Sequence, residues 1–470
     1  MASDPNLMSA HAIATSVKSG SLSARQVVDA ALARISHLNG KVGAFTQVTA
    51  DRARAAADAV DAKRQSGGTL GALAGVPFAV KNLFDLKGVV TLAGSKINAD
   101  NAPASEDGPL VQRLEASGAI CLGALNMGES AYDFTGENCH HGNSKNPHDL
   151  SHMTGGSSGG SGAAVAAGFV PLALASDTNG SIRVPASFCG LFGLKPTYGR
   201  LSRAGSFPFV TSFDHLGPLG RSALDLSLAY DSMQGPDAHD PMHTPRSVEP
   251  TLPGLDLGLS GLRIAKAGGY FAKGAEPVAY AAIDRVAKAL GASASVDLPE
   301  TPRARAAAYL ITMAEGASLH HERLRARPKD FDPEVRDRLI AGAMVPADFV
   351  VQAHKFRRWY RDQVLRLFET TDIIFSLHRR KTCLAARFAK SRRESRRLCF
   401  KKYKFCFGKR KNIRVCGPDR RRQNNHSIFN GQALRPKQRG CFAGRKRYQT
   451  IFSARARKKN WLYFTGAIFI

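Results

Sequence analysis

Between Thr154 and Gly162 the chain reads TGGSSGGSG, then passes with no polar interval into AAVAAGFVPLALAS. Glycine-serine composition by itself describes a flexible linker, because such a tract has nothing to bury. The neighbours exclude that reading. A small-residue helix and a short apolar run of strand length follow at once, and another apolar segment, AICLGALNM, precedes the tract. A tract flanked on both sides by buried segments is expected to be packed inside a domain. It is not a phosphate-binding loop, since no Gly-Lys-Ser/Thr closes it.

The pattern around the tract sets the fold class. SLSARQVVDAALARISHL puts Val27, Val28, Ala31, Leu32 and Ile35 on one helical face, and Ser23 with Gln26 fits a capping box. An alanine-rich helix is expected from about Asp51 to Lys63. In GVPFAVKN the residues Val76, Phe78, Ala79 and Val80 form a nearly continuous apolar run, as in a strand covered on both faces, with Lys81 at its end. A helix near Pro109–Ser117 and a strand in AICLGALNM follow. Strand and helix keep alternating through PLALAS, so the expected class is α/β. Prolines and acids over residues 235–260 mark a surface connection. Strand, helix and strand resume in LRIAKAGGYF, PVAYAAIDRVAKAL and SASVDL, and residues 303–370 read as helical.

Charge divides the chain in two. Residues 376–470 carry 29 Lys and Arg against only Glu394 and Asp419, whereas residues 1–375 hold 37 basic and 36 acidic residues. The net charge of +28 therefore belongs to the tail and says little about the partners of the α/β region. The cysteines form no C-x-x-C pair, and no basic-then-apolar leader opens the sequence, so free thiols in a cytoplasmic protein are expected. No apolar stretch is long enough for a membrane span. His140, His141, His148 and His152 cluster before the serine tract. There is no H-E-x-x-H, and Pro147 disfavours a helix there, so a polar loop at the mouth of a site is expected rather than a metal centre. Cys189 sits among small apolar residues and reads as a core thiol. Glu129, Tyr132, Asp133 and Glu137 in NMGESAYDFTGEN are candidates for a pocket wall.

Taken together, GVPFAVKN, TGGSSGGSGAAVAAG and SDTNGSIRVPASFCGLFGLKPTYGR resemble the amidase-signature family, over residues 1–375. SDTNGSIRVPASFCG, GENCHHGNSKNPHD and TSFDHLGP are most similar to its 1-carboxybiuret hydrolase branch. The resemblance implies a three-layer α/β/α fold with a central mixed sheet, and a Ser–cis-Ser–Lys triad without metal or cofactor. Ser181 would be the nucleophile that forms an acyl-enzyme, Ser157 the proton relay and Lys81 the base, neutral at rest because an apolar strand end desolvates it. The backbone N–H groups of Thr178, Asn179, Gly180 and Ser181 would form the oxyanion hole, with Ser158, Asp177 and Arg183 as supports. Asn179 departs from the family's more common Gly-Gly-Ser, and its side chain is a candidate substrate contact. The implied reaction is cleavage of a C–N bond in a small amide or urea-like substrate, with a small partner subunit or a homodimer as the assembly. A glutamine-hydrolysing subunit of a tRNA-dependent amidotransferase is the alternative.

The resemblance further predicts that TTDIIF enters a core strand and that apolar strands then complete the sheet. Residues 376–470 break that expectation, because their basic residues follow neither helical nor strand period. Two readings compete. One is a genuine nucleic-acid-binding extension, its Lys and Arg on phosphates and its Phe and Tyr stacking on bases, carried on an inactive amidase scaffold. The other is a shifted reading frame replacing the last strands and impairing the enzyme. The second accounts at once for the abrupt charge change, the patternless cysteines and the missing end of the fold.

Overall fold

The structure is a computed structural model that describes residues 4–377, together with the backbone of 404–407 and 413–416. The expected helices open the chain as α1 (Ala10–Ser19) and α2 (Ala24–Val42). Ser23 and Gln26 form a reciprocal capping box at the start of α2, and Val27, Val28, Ala31, Leu32 and Ile35 are all buried. A four-residue strand not expected from the sequence, β1 (Phe45–Val48), separates α2 from α3 (Ala50–Gln65). FTQV is too short and too exposed to carry an apolar period; pairing with a later strand, antiparallel, makes it a strand.

The core is built from β2 (Pro77–Lys81), α4 (Pro109–Ala116), β3 (Ile120–Leu125), a small hairpin of β4 (Lys145–Asn146) and β5 (Asp149–Met153), α5 (Gly159–Ala166), β6 (Leu172–Asp177), α6 (Arg183–Phe188), β7 (Phe192–Gly193), β8 (His215–Gly220) and α7 (Ala223–Met233). Six strands form one mixed sheet in the order β1-β3-β2-β6-β8-β7. β2 is parallel to both β3 and β6, while β1, β7 and β8 pair antiparallel with their neighbours. Every residue of β2, β3 and β6 is buried, which is why these strands read as unbroken apolar runs.

The second part of the chain contains β9 (Ile264–Ala267), α8 (Pro277–Ala289), β10 (Ala294–Val296), α9 (Thr301–Ala326), α10 (Pro333–Ala343), α11 (Ala347–Leu367) and β11 (Ile373–Phe375). Here one expectation fails. TTDIIF does not enter the central sheet. It becomes β11, parallel to β9, at the edge of a separate three-stranded sheet ordered β10-β9-β11. Its residues are only half-buried, because no described strand covers its other edge.

Beyond residue 377 the described backbone consists of two strands, β12 (Lys404–Phe407) and β13 (Ile413–Cys416), paired antiparallel with Lys404 opposite Cys416. The sequence reading found no strand period there, yet KFCF and IRVC are rich in β-favouring residues. The competing readings of the tail, nucleic-acid binding or a shifted frame, rest on residues that otherwise lie outside the described ones. No described helix is long and apolar enough to cross a membrane.

Candidate active site

The glycine-serine tract is buried throughout. At Gly160 a side-chain Cβ would stand about 2.5–2.6 Å from the Asn126 and Ala44 carbonyl oxygens, so only glycine fits. Two serines of the tract are tied to strand β6: Ser158 Oγ donates to the Ser176 carbonyl (3.2 Å) and Ser161 Oγ to that of Leu174 (3.0 Å). Ser157 precedes α5, fully buried, and the Gly156–Ser157 peptide bond is cis.

Parallel pairing of β2 with β6 brings their C-terminal ends out on one edge of the sheet, where ligand chemistry of open α/β sheets collects. Lys81 ends β2 with no solvent exposure. Its Nζ donates to Ser157 Oγ at 2.7 Å and to Ser176 Oγ at 2.9 Å. Burial lowers the Lys81 amine to about pKa 7, against the upward pull of Asp214, Asp177 and Asp133. A lysine so placed is neutral in a large fraction of molecules near neutral pH and can take up a proton.

The segment leaving β6 is organised by Asp177. This buried carboxylate accepts from the backbone N–H of Gly180 (2.7 Å), Ile182 (3.2 Å) and Arg183 (3.4 Å), and pairs with the Arg183 guanidinium at 2.9 Å. Burial alone would push its pKa up; the Arg183 charge and hydrogen bonds win and hold it well below the usual carboxylate range. Gly180 adopts φ +134°, a conformation that favours glycine, and this turns the chain into Ser181, which is 3% exposed. One expected role changes as a result. The Gly180 N–H, assigned from the sequence to the oxyanion hole, already donates to Asp177 and is not aimed at a substrate. The flanking residues are anchored by their side chains. Thr178 Oγ1 donates to Asp214 Oδ1 (2.6 Å), and Asn179 Nδ2 donates to Thr312 Oγ1 on α9 (2.9 Å). The Asn179 amide, expected as a substrate contact, is thus tied to the protein.

A cavity of about 260 Å³ adjoins Ser176 and Asp214. Leu83, Ala131, Phe207 and Arg203, which is paired with Asp240, also line it, whereas Lys81, Ser157 and Ser181 do not. Of the four pocket-wall candidates from the sequence, Glu129, Tyr132, Asp133 and Glu137, none lines this cavity. Glu129 is buried and accepts from the Asp332 N–H at 2.6 Å, at the start of α10, with His140 3.3 Å away; burial raises its carboxyl to about pKa 7. Asp133 braces its own loop through the N–H groups of Thr135 and Gly136. The remaining histidines disperse: His148 contacts the Cys189 carbonyl and His152 contacts Asp149. Among the described residues no three ligating side chains gather as a metal would require. Cys189 is fully buried, and burial pushes its thiol up to about pKa 12, as suits a core residue.

The amidase family profile matches residues 26–386. The chain belongs to the amidase family. Among curated relatives it is 55% identical over 360 residues, 77% of this chain and 79% of the other, to AtzE, the 1-carboxybiuret hydrolase subunit of Pseudomonas sp. (strain ADP). It is 38% identical over 390 residues, 77% of this chain and 80% of the other, to a glutamyl-tRNA(Gln) amidotransferase subunit of Chromohalobacter salexigens. A solved structure of a vestigial protein complex, tied to the evolutionary origins of an s-triazine catabolic enzyme, superposes with TM-score 0.78 at 54% identity, covering 78% of this chain and 81% of that one. The amidase fold and the chemistry of amide C–N hydrolysis follow for this chain.

Sequence reasoning missed three residues of this amidase site. Ser176 was legible only as the last small residue of an apolar strand. Asp214 stood in TSFDHLGP, a segment marked by its family likeness alone. Thr312 lies in the middle of a long helix 133 residues from its partner Asn179, and nothing local marks it.

Proposed function

We propose that this amidase hydrolyses its substrate through Ser181, Ser157 and Lys81. The observation that carries the reading is the 2.7 Å hydrogen bond from a fully buried Lys81 amine to Ser157 Oγ, on the same sheet edge that leads into Ser181. Neutral Lys81 takes the Ser157 proton while Ser157 Oγ takes that of Ser181. Ser181 Oγ bonds to the substrate carbonyl carbon, and the carbonyl oxygen becomes an oxyanion facing the N–H groups of Thr178, Asn179 and Ser181. Collapse of that adduct breaks the C–N bond. The leaving nitrogen collects the proton from Lys81 through Ser157, leaving an acyl-enzyme on Ser181. Water then attacks by the same proton path in reverse and frees the acid. Preorganised donors of this kind are worth roughly 2.7–4 kcal/mol each in the transition state. Ser158, Asp177 and Arg183 hold the two serine segments in place.

The substrate class we infer is a small urea-like amide of the carboxybiuret type, releasing ammonia. The likeness to AtzE over most of both chains supports it. A small partner subunit belongs to the same inference, since the solved relative was found in a complex. Glutamine hydrolysis for a tRNA-dependent amidotransferase is the second reading, favoured by the match to the Chromohalobacter protein. We further propose residues 1–375 as the amidase domain and residues 376–470 as a shifted frame that impairs it. Translating the DNA across codons 365–385 in all three forward frames tests this: a continuation with alternating apolar strands supports it, and the lack of one overturns it. Ammonia release from 1-carboxybiuret and from glutamine, measured for the wild-type chain and Ser181→Ala, tests the rest. Turnover surviving in Ser181→Ala would remove the proposed nucleophile.

A further inference from the structure

Several contacts of the site meet at one carboxylate that the mechanism above leaves unused. Asp214 Oδ1 accepts from the Thr178 hydroxyl at 2.6 Å, and Oδ2 accepts from the backbone N–H groups of Phe209 and Val210, both at 2.8 Å. Donors meet both oxygens, and burial still raises the carboxyl pKa above its ordinary value. It also lines the cavity beside Ser176, whose hydroxyl accepts from the Lys81 amine. One side chain therefore joins the segment before Ser181 and the loop that walls the pocket.

We propose that Asp214 is a positioning residue for hydrolysis: it fixes the Thr178–Ser181 segment against the 206–214 loop. The proposal rests on the triad reading given above. Geometry supports it directly, because Thr178 is the residue at which the chain leaves β6 toward Ser181. A displacement of about 1 Å in such a segment costs about 100-fold in rate.

The test is the rate at which a fluorophosphonate labels the full chain as a function of pH. Attack by Ser181 Oγ forms the P–O bond and expels fluoride, and its proton passes to Lys81, so the acid limb of the profile reads Lys81. Wild type is expected to show that limb near pH 7. Asp214→Asn is expected to lower the plateau about 10-fold or more. Thr178→Val, which breaks the hydroxyl contact, is expected to lower the plateau likewise and leave the limb where it was. Thr178→Ser, which keeps the hydroxyl, is expected to recover most of the rate. A residue that only stabilises the fold would change the melting temperature without lowering the plateau. An unchanged plateau in Asp214→Asn or in Thr178→Val overturns the proposal. If Asp214→Asn does not fold, the Thr178 pair decides it alone. Labelling that persists in Ser181→Ala condemns the triad reading instead. Labelling abolished there but untouched in the Asp214 and Thr178 variants condemns only this inference.

Discussion

The residues from Leu73 to Tyr230 and those from Gly254 to Phe375 are built to different standards. In the first stretch three consecutive sheet strands have every residue buried, and the polar groups around Lys81 and Ser181 are paired: Lys81 with two serines, Asp177 with Arg183, Ser158 and Ser161 with strand carbonyls. In the second, α8 has no buried residue, and the 21 residues of α11 bury only Ala353. Large apolar side chains such as Val278, Met344 and Leu365 stand more than half exposed. The lesson is that the chemistry is stored where the packing is dense. The outer stretch touches the site mainly through α9, whose Thr312 holds Asn179 and whose Glu315 accepts from the Ser212 N–H at 3.0 Å.

The sharpest way to break this contrast is at the triad. Lys81→Ala and Ser181→Ala are each expected to lower turnover about 10⁴-fold or more, read as ammonia release from 1-carboxybiuret. Activity within tenfold of wild type in either would place the chemistry elsewhere. Lys81→Met carries a second, opposite expectation. The unfolded lysine binds its proton up to about pKa 10.4, the folded one only below about 7, so unfolding takes up a proton in between and folded stability rises with pH across that window. Removing the amine should therefore raise the melting temperature, most at pH 7 and below, with the gain fading toward pH 10.

Packing density comes next. Leu122→Ala in β3 is expected to cost about 2–5 kcal/mol in a denaturant titration, because the fully buried side chain leaves a cavity. A loss under about 0.5 kcal/mol there would mean that the inner sheet is no tighter than the outer layer. A milder probe crosses between the two stretches. Thr312→Val should reduce kcat several-fold to about tenfold with little change in KM, by freeing the Asn179 side chain, and Thr312→Ser should restore it. An effect confined to KM would make Thr312 a substrate contact instead. The smallest change expected is at Leu365→Ala, within about 0.5 kcal/mol of wild type, as for an exposed position.

Much of the dense stretch was legible because its order is local and continuous. The apolar run ending in Lys81 gave β2, the run into SDTNGS gave β6, and Ser23 with Gln26 announced the start of α2. What escaped was set by partners far along the chain. β1 is a strand only because β3 pairs with it, and β11 lies beside β9 rather than in the main sheet, a choice no residue of TTDIIF records. The site followed the same rule. Lys81, Ser157 and Ser181 lie in motifs that mark them. The second hydroxyl on Lys81, the Asp214 acceptor and the diversion of the Gly180 N–H to Asp177 all depend on how those motifs meet in space.

The bond between Asn179 and Thr312 also bears on how such a chain could diversify. One face of α9, with Thr312 and Gly316 buried, reaches the Thr178–Ser181 segment. Gly316 of the same face lies against Phe209 of the pocket wall, close enough that an added Cβ would come within 2.8 Å of its ring. New substrate preferences could then arise by changing one helix face and leaving the catalytic sheet untouched. In a laboratory selection for a bulkier amide, the first accepted substitutions are expected at Thr312, Glu315 and Gly316 rather than in the strands that hold the lysine.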